Sequence, residues 1–146
     1  DAFAHVTSLT GLMGRWQQME SSPRLICDTG HNTGGIQYIV RQLQNESYQN
    51  LRIIIGMVND KDISGVLAML PQNAVYYFTR ASISRALPEE RLYELAIKAG
   101  LTGKCYPSVQ QAVEAAKKES RPDDLIFVGG STFIVADLLK TMLSQQ

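Results

Sequence analysis

Cysteine is scarce in this chain, and so is any excess of charge of one sign. The two cysteines, Cys27 and Cys105, stand far apart, with no CxxC and no zinc-type pairing of cysteines and histidines. Neither a disulfide framework nor a zinc site is therefore written into the chain. Two reduced, buried, unreactive thiols are expected, which points to the cytoplasm. The 14 Lys and Arg side chains balance 14 Asp and Glu. No basic run breaks that balance, so the electrostatic footprint of a nucleic-acid binder is missing. No apolar stretch reaches the roughly 18 residues that a membrane-spanning helix needs. The start, Asp1-Ala2-Phe3-Ala4-His5, has neither the charged nor the apolar region of a signal peptide. It has no initiator Met either, and reads as a piece of something longer. Repeats and low-complexity tracts are absent. So are a GxGxxG and a Walker A motif, which means that this piece cannot by itself supply the usual phosphate cradle.

What is present is an ordinary globular mix, 45% hydrophobic and 19% charged over 146 residues. That is enough for one domain with a real core. Apolar runs alternate with helical periodicity. Leu25-Ile26-Cys27 is a short buried run ending in Asp28, and Ile36, Ile39, Val40 and Leu43 then share one helical face. Leu51 to Ile55 is a β-branched run bounded by Gly56, and residues 62–70 read as a helix closed by Pro71. Ala74 to Phe78 is a strand whose Tyr76-Tyr77-Phe78 belongs to the core. Pro88 opens a helix that runs to Lys98 and stops at Gly100. A weak strand ends at Tyr106, and Ser108 caps a helix from Val109 to Lys118. Asp124 to Val128 is the last strand, before Gly129-Gly130-Ser131 and a helix through Leu143.

This rhythm predicts an α/β fold: a three-layer, Rossmann-like αβα sandwich around a mostly parallel sheet of about six strands. One segment departs from it. Residues 15–20 alternate, Ser21-Ser22-Pro23 turns, and Leu25 begins the buried strand, so one antiparallel strand is expected at an edge. Residues 1–13 read as a linker or incoming segment, and residues 14–146 as the domain.

Ligands in such sheets bind at the carboxyl ends of the strands. Three loops lie there, after Cys27, after Ile55 and after Val128, and their polar residues should converge. In the first, Asp28 can accept from sugar hydroxyls, Gly30 allows a tight turn, and His31 can donate to a carboxylate or phosphate. The helix start that follows favours anions. The plain alternative is that Asp28 and Asn32 cap the helix and Gly34-Gly35 pack it. In the second loop Lys61 can hold an anion as a point charge; Asp60 and Asp62 equally suit a helix N-terminus. In the third, Gly130 permits close approach and Ser131 with the helix N–H groups makes a carboxylate site, or simply an N-cap. Ser131 has no GxSxG context, which excludes a serine hydrolase. Arg15 can pair with phosphate oxygens or lie along Trp16. No metal-ligand spacing is present. A receiver domain would need an acidic pair after its first strand and an Asp ending its third; here Asp28 stands alone and Thr79 follows Phe78.

Taken in order, Gly14-Arg15-Trp16, Asp28-Thr29-Gly30-His31-Asn32, Asp60-Lys61-Asp62, Ser84-Arg85-Ala86-Leu87-Pro88, and Gly129-Gly130-Ser131 with Phe133 and Val135-Ala136 resemble the C-terminal domain of folylpolyglutamate synthases and bifunctional dihydrofolate synthases, of the Mur ligase superfamily. The resemblance runs from about Leu9 to Leu143. The family pattern at the first site is Asp-Gly-Ala-His-Asn; Thr29 and Gly30 depart from it, and Thr33 replaces a frequent Pro. The resemblance implies that Arg15 and Asp28 contact ATP, at phosphate and ribose, that His31, Ser131 and Lys61 bind glutamate, and that Asn32, Gly30 and Gly130 shape the loops. It implies ATP and Mg²⁺ held mainly by a preceding P-loop domain of the same chain. L-glutamate and a folate, tetrahydrofolate or dihydropteroate, are the implied substrates, in a monomeric enzyme working through an acyl phosphate. This domain would be a mobile lid, folded but inactive alone. The competing readings are another Mur-type amino-acid ligase and a non-catalytic α/β binding module.

Overall fold

The computed structural model describes residues 15–59 and 62–144. The expected linker over residues 1–13 and the candidate Lys61 lie outside the described residues. Strands β1 (Gln17–Ser21) and β2 (Arg24–Asp28) form the antiparallel hairpin around Ser22-Pro23. There follow α1 (Thr33–Gln44), β3 (Leu51–Ile55), α2 (Ile63–Met69), β4 (Val75–Phe78) and α3 (Glu89–Lys98). The chain ends with β5 (Gly103–Cys105), α4 (Val109–Glu119), β6 (Leu125–Gly129) and α5 (Thr132–Ser144). The six strands lie in the order β1-β2-β6-β3-β4-β5, and every pair except β1–β2 is parallel. The expected sandwich with one antiparallel edge strand is the observed architecture. No helix among the described residues is long and apolar enough to cross a membrane.

Alternation along the strands builds two cores. Ile26, Ile53, Ile55, Tyr76, Phe78, Leu125 and Phe127 face α1, α2 and α3. Leu25, Cys27, Ile54, Tyr77, Ile126 and Val128 face α4 and α5. The central strands β3 and β6 are largely buried on both faces, which is why they read as apolar runs, interrupted only by Arg52. Four helices begin on a side chain that accepts the N–H three residues on: Asn32 from Gly35, Asp62 from Gly65, Ser108 from Gln111 and Ser131 from Ile134. Each such cap contributes about 1 kcal/mol. Cys27 is buried as expected, but Cys105 is only half-buried, on the short edge strand, where its thiol reaches the Glu89 carbonyl at 3.5 Å. An edge strand has only one neighbour to cover it.

The amino ends of the parallel strands are tied by Asp124. Its buried carboxylate accepts from the Asn50 backbone N–H and side-chain amide at 3.1 and 3.2 Å, from the Arg121 N–H at 3.1 Å and from Arg52 Nε at 3.2 Å. Arg52 also donates to the Tyr77 hydroxyl at 3.0 Å, so the network spans β3, β4 and β6. Burial pushes the Asp124 carboxyl up, but the Arg121 N–H, the Asn50 side chain and Arg52 outweigh it and hold it below its ordinary value. A carboxyl lowered by folding stabilises the fold fully above the unfolded value of about 3.9, and that contribution is lost as pH falls through the folded value. Asp124→Asn should therefore cost about 3 kcal/mol at neutral pH, because Arg52 loses its buried partner. Urea unfolding across acidic pH measures both effects: the variant should unfold earlier at neutral pH, and its stability should fall less steeply on acidification than that of the unaltered chain.

Candidate functional site

Crossover geometry decides where the polar loops meet. Strand β6 lies between β2 and β3. The chain leaves β2 and β3 toward one face of the sheet and β6 toward the other. The carboxyl ends of three adjacent strands thus open around a switch point, where α/β sheets bind ligands. The backbones crowd there. Gly130 has φ +104, and a Cβ on it would stand 2.3 Å from the Gly56 carbonyl oxygen. Only glycine fits.

Two adjoining pockets occupy this end. The first is lined by Arg15, Asp28, Thr29, Gly30, His31, Asn32, Gly34, Gly35 and Tyr38. Asp28 is buried, and both its oxygens serve backbone donors, the Trp16 N–H at 2.9 Å and the Gly30 N–H at 2.8 Å. Each oxygen keeps a lone pair for a further donor, so the carboxylate can still take a hydroxyl. Trp16 sits at φ +53, an unusual conformation for a bulky residue that costs roughly 1–3 kcal/mol. The Asp28 bond and ring stacking of Trp16 on Phe127, 5.9 Å between centroids, hold it there. Next to it the Arg15 guanidinium stands 5.3 Å above the Tyr38 ring, exposed and free to meet phosphate oxygens. Gly30 is also closely packed. A Cβ would lie 3.0 Å from Ile39 Cδ1 and 3.1 Å from the Gly35 carbonyl, so it lets the loop lie against the start of α1.

The second pocket, a cavity of about 290 Å³, draws on all three loops: His31, Asn32 and Thr33 after β2, Met57, Val58 and Asp62 after β3, and Gly130 after β6. Ile63 and Val66 of α2 complete it. His31 and Asn32 therefore form the wall between the two pockets. The exposed His31 ring has Nδ1 3.4 Å from the Thr29 carbonyl oxygen. Asn32 shapes the loop as expected, capping α1 through Gly35. Ser131 is buried and its Oγ accepts the Ile134 N–H at 3.1 Å; it borders Gly130 but does not line either pocket. Its hydroxyl proton remains available as a donor.

Tyr38, Val58 and the Trp16 N–H are parts of the site that sequence reasoning missed. Tyr38 is off the apolar face of α1 read from the sequence, Val58 lines the pocket from an irregular loop, and the Trp16 N–H is a backbone atom, which carries no residue signature. Among the described residues no group of three or more His, Cys, Asp or Glu is placed to hold a metal ion. The donors present among the described residues do not by themselves make a metal centre.

Burial raises the Asp28 carboxyl above its ordinary value, against the opposing pull of the Gly30 and Trp16 N–H groups and of Arg15. For a carboxyl raised by folding, ionisation weakens the fold, so its contribution to stability declines as pH rises from the unfolded value to the folded one. Asp28→Asn should remove that decline. Asp28→Ala should also free the Trp16 N–H and release the single tryptophan from Phe127. A red shift of Trp16 emission in the folded variant reports this; unchanged emission would mean that Asp28 does not hold the segment.

The fold and sequence have known relatives. The sequence profile of the family "Mur ligase, glutamate ligase domain" matches residues 14–132. The dihydrofolate synthase/folylpolyglutamate synthase of Escherichia coli K12 is 34% identical over 134 residues, which cover 90% of this chain and 31% of that protein. Among solved structures, E. coli FolC in complex with DHPP and ADP superposes with a TM-score of 0.82 at 31% identity, over 90% of this chain and 31% of its own. A bifunctional folylpolyglutamate synthase/dihydrofolate synthase with Mn, AMPPNP and L-glutamate bound gives 0.81 at 27% identity, over 89% of this chain and 31% of its own. This chain thus spans about a third of the length of these relatives. With its sheet order, its crowded switch point and its matched span in agreement, the chain belongs to the Mur ligase, glutamate ligase domain family.

Proposed function

We propose that this chain is the glutamate- and nucleotide-contacting C-terminal domain of an ATP-dependent ligase that adds L-glutamate to folates, a folylpolyglutamate synthase with or without dihydrofolate synthase activity. The observation that carries the reading is the shared wall. His31 and Asn32 line both the pocket of Asp28 and Arg15, which we read as the nucleotide's, and the pocket where the three loops meet, which we read as the amino acid's. A ligase that couples ATP cleavage to amide formation needs those ligands side by side. The relatives bound to ADP, to AMPPNP and to L-glutamate support it.

In this reading Asp28 accepts from the nucleotide ribose and Arg15 meets its phosphates. ATP supplies the phosphoryl group that turns the folate's terminal carboxylate into an acyl phosphate. The glutamate amine displaces phosphate and the amide forms. His31 and Ser131 position the incoming glutamate, with Lys61 as a further cation. Asn32, Gly30 and Gly130 keep the loops in register. Mg²⁺, the P-loop and most folate contacts fall to a preceding domain, reached through residues 1–13, and the domain presented here closes on it as a lid. A monomer working in the cytoplasm completes the reading. The large apolar side chains exposed among the described residues, Val75, Tyr93, Ile97 and Leu143, are spread over three elements and make no broad patch.

ATP turnover by the full-length protein tests this. ADP release should require a reduced folate and glutamate together. His31→Ala and Ser131→Ala should raise the glutamate KM roughly 10-fold or more, as loss of a hydrogen bond to a charged group does. Arg15→Ala should act on ATP instead. Residues 14–146 alone should fold and show no turnover. Turnover indifferent to folate would assign a different Mur-type ligase.

A further inference from the structure

Among the described residues carboxylates hold Arg24, through Glu46, Arg52, through Asp124, Arg80, through Glu89, and Arg91, through Glu94. Each of these arginines spends N–H groups, and much of its charge, on a partner within the fold. Arg15 is held differently. It stands on the segment entering β1, exposed, and among the described residues no carboxylate lies within ion-pair distance of it. Asp28, which lines the same pocket, takes the Trp16 and Gly30 N–H groups instead. What the Arg15 guanidinium meets is the Tyr38 ring, 5.3 Å from its centroid.

The fold makes that ring a fixed surface. Tyr38 is half-buried in the second turn of α1 and packs against the core cluster on that face of the sheet. Residues four apart share one side of a helix, and Gly34 and Tyr38 both line the pocket of Asp28. The Arg15 side chain, by contrast, is long, and on an exposed edge it would sample many directions. Attraction to a ring face restrains a guanidinium while leaving its N–H donors unspent and its charge uncancelled. A carboxylate in the place of the ring would consume both.

Resting on the ligase reading above, we infer that Tyr38 is a positioning residue for the nucleotide, its ring holding the Arg15 guanidinium in the pocket of Asp28 ready for the ATP phosphates. A side chain that is ordered only when its ligand arrives loses affinity to the freedom given up, and one already held in place loses less. The ring acts through Arg15, and the ring face rather than the hydroxyl makes the contact, so a phenylalanine would serve in its place.

The test uses the full-length enzyme, saturated with folate and glutamate, with ATP varied. Tyr38→Leu removes the ring and should raise the ATP KM about 3- to 10-fold, the size expected for a lost cation–π contact at an exposed site. The glutamate KM should not follow. Tyr38→Phe should recover most of the lost affinity. In an Arg15→Ala background Tyr38→Leu should cost nothing further, because the ring then has no guanidinium to hold. Tyr38 also packs on the core, so Tyr38→Met, which lacks a ring but fills the same space, serves as a second variant and should match Tyr38→Leu. An unchanged ATP KM in the ringless variants, the same loss with and without the Arg15 side chain, or a Tyr38→Phe enzyme as weak as Tyr38→Leu would overturn the inference and leave the ligase reading standing. Absence of folate- and glutamate-dependent turnover in the unaltered enzyme would remove both.

Discussion

The Asp28 carboxylate is the point on which the candidate site depends. It lies at the last position of β2, buried, with each oxygen on a backbone N–H. One of those bonds fastens the chain just before β1, and the other sets the loop that leads to His31. Remove the carboxylate and only the stacking on Phe127 is left to hold Trp16 at positive φ. Burial makes the charge costly, and the two N–H donors offset much of that cost without using up all four lone pairs. A side chain that both organises its loop and keeps acceptor capacity facing a pocket is well suited to hold a hydroxyl-bearing ligand.

The two ends of the sheet divide structural and ligand-facing roles. At the amino end Asp124 is fully engaged by Asn50, Arg121 and Arg52, with nothing left to offer a ligand. At the carboxyl end the polar groups are partly engaged: His31 is exposed, Ser131 has accepted one hydrogen bond, and Arg15 rests on a ring. Folding shifts the two aspartates in opposite directions, Asp124 down and Asp28 up. The first is the signature of a satisfied structural charge and the second of a charge held partly in reserve.

Much of this was legible in the sequence, for physical reasons. Strands buried on both faces must be apolar throughout, so β3 and β6 could be read from Leu51 to Ile55 and Leu125 to Val128 alone. Alternation in residues 15–20 with Pro23 behind it foretold the antiparallel hairpin. The meeting of the three loops follows from the crossover rule once the strands are known. Other features depend on which residues meet across space. The Arg15–Tyr38 contact joins an edge segment to the second turn of α1, and no periodicity marks it. The segment over residues 79–88 is irregular backbone held by Asp137 of α5 and by the loop after β3. Gly30 invites a turn reading, and its close packing on Ile39 and Gly35 shows only once the fold is known. Ser131 fits equally a ligand site and an N-cap on sequence grounds, and the fold uses it as a cap.

In the proposed ligase two ligands lie on either side of the loop carrying His31 and Asn32. A crystal structure of the full-length protein with a non-hydrolysable ATP analogue and L-glutamate tests it most directly. The nucleotide ribose should lie within hydrogen-bond distance of Asp28, and the amino acid against His31 at the joined ends of β2, β6 and β3. Either ligand seated away from those strand ends, or both on the same side of the loop, would contradict it.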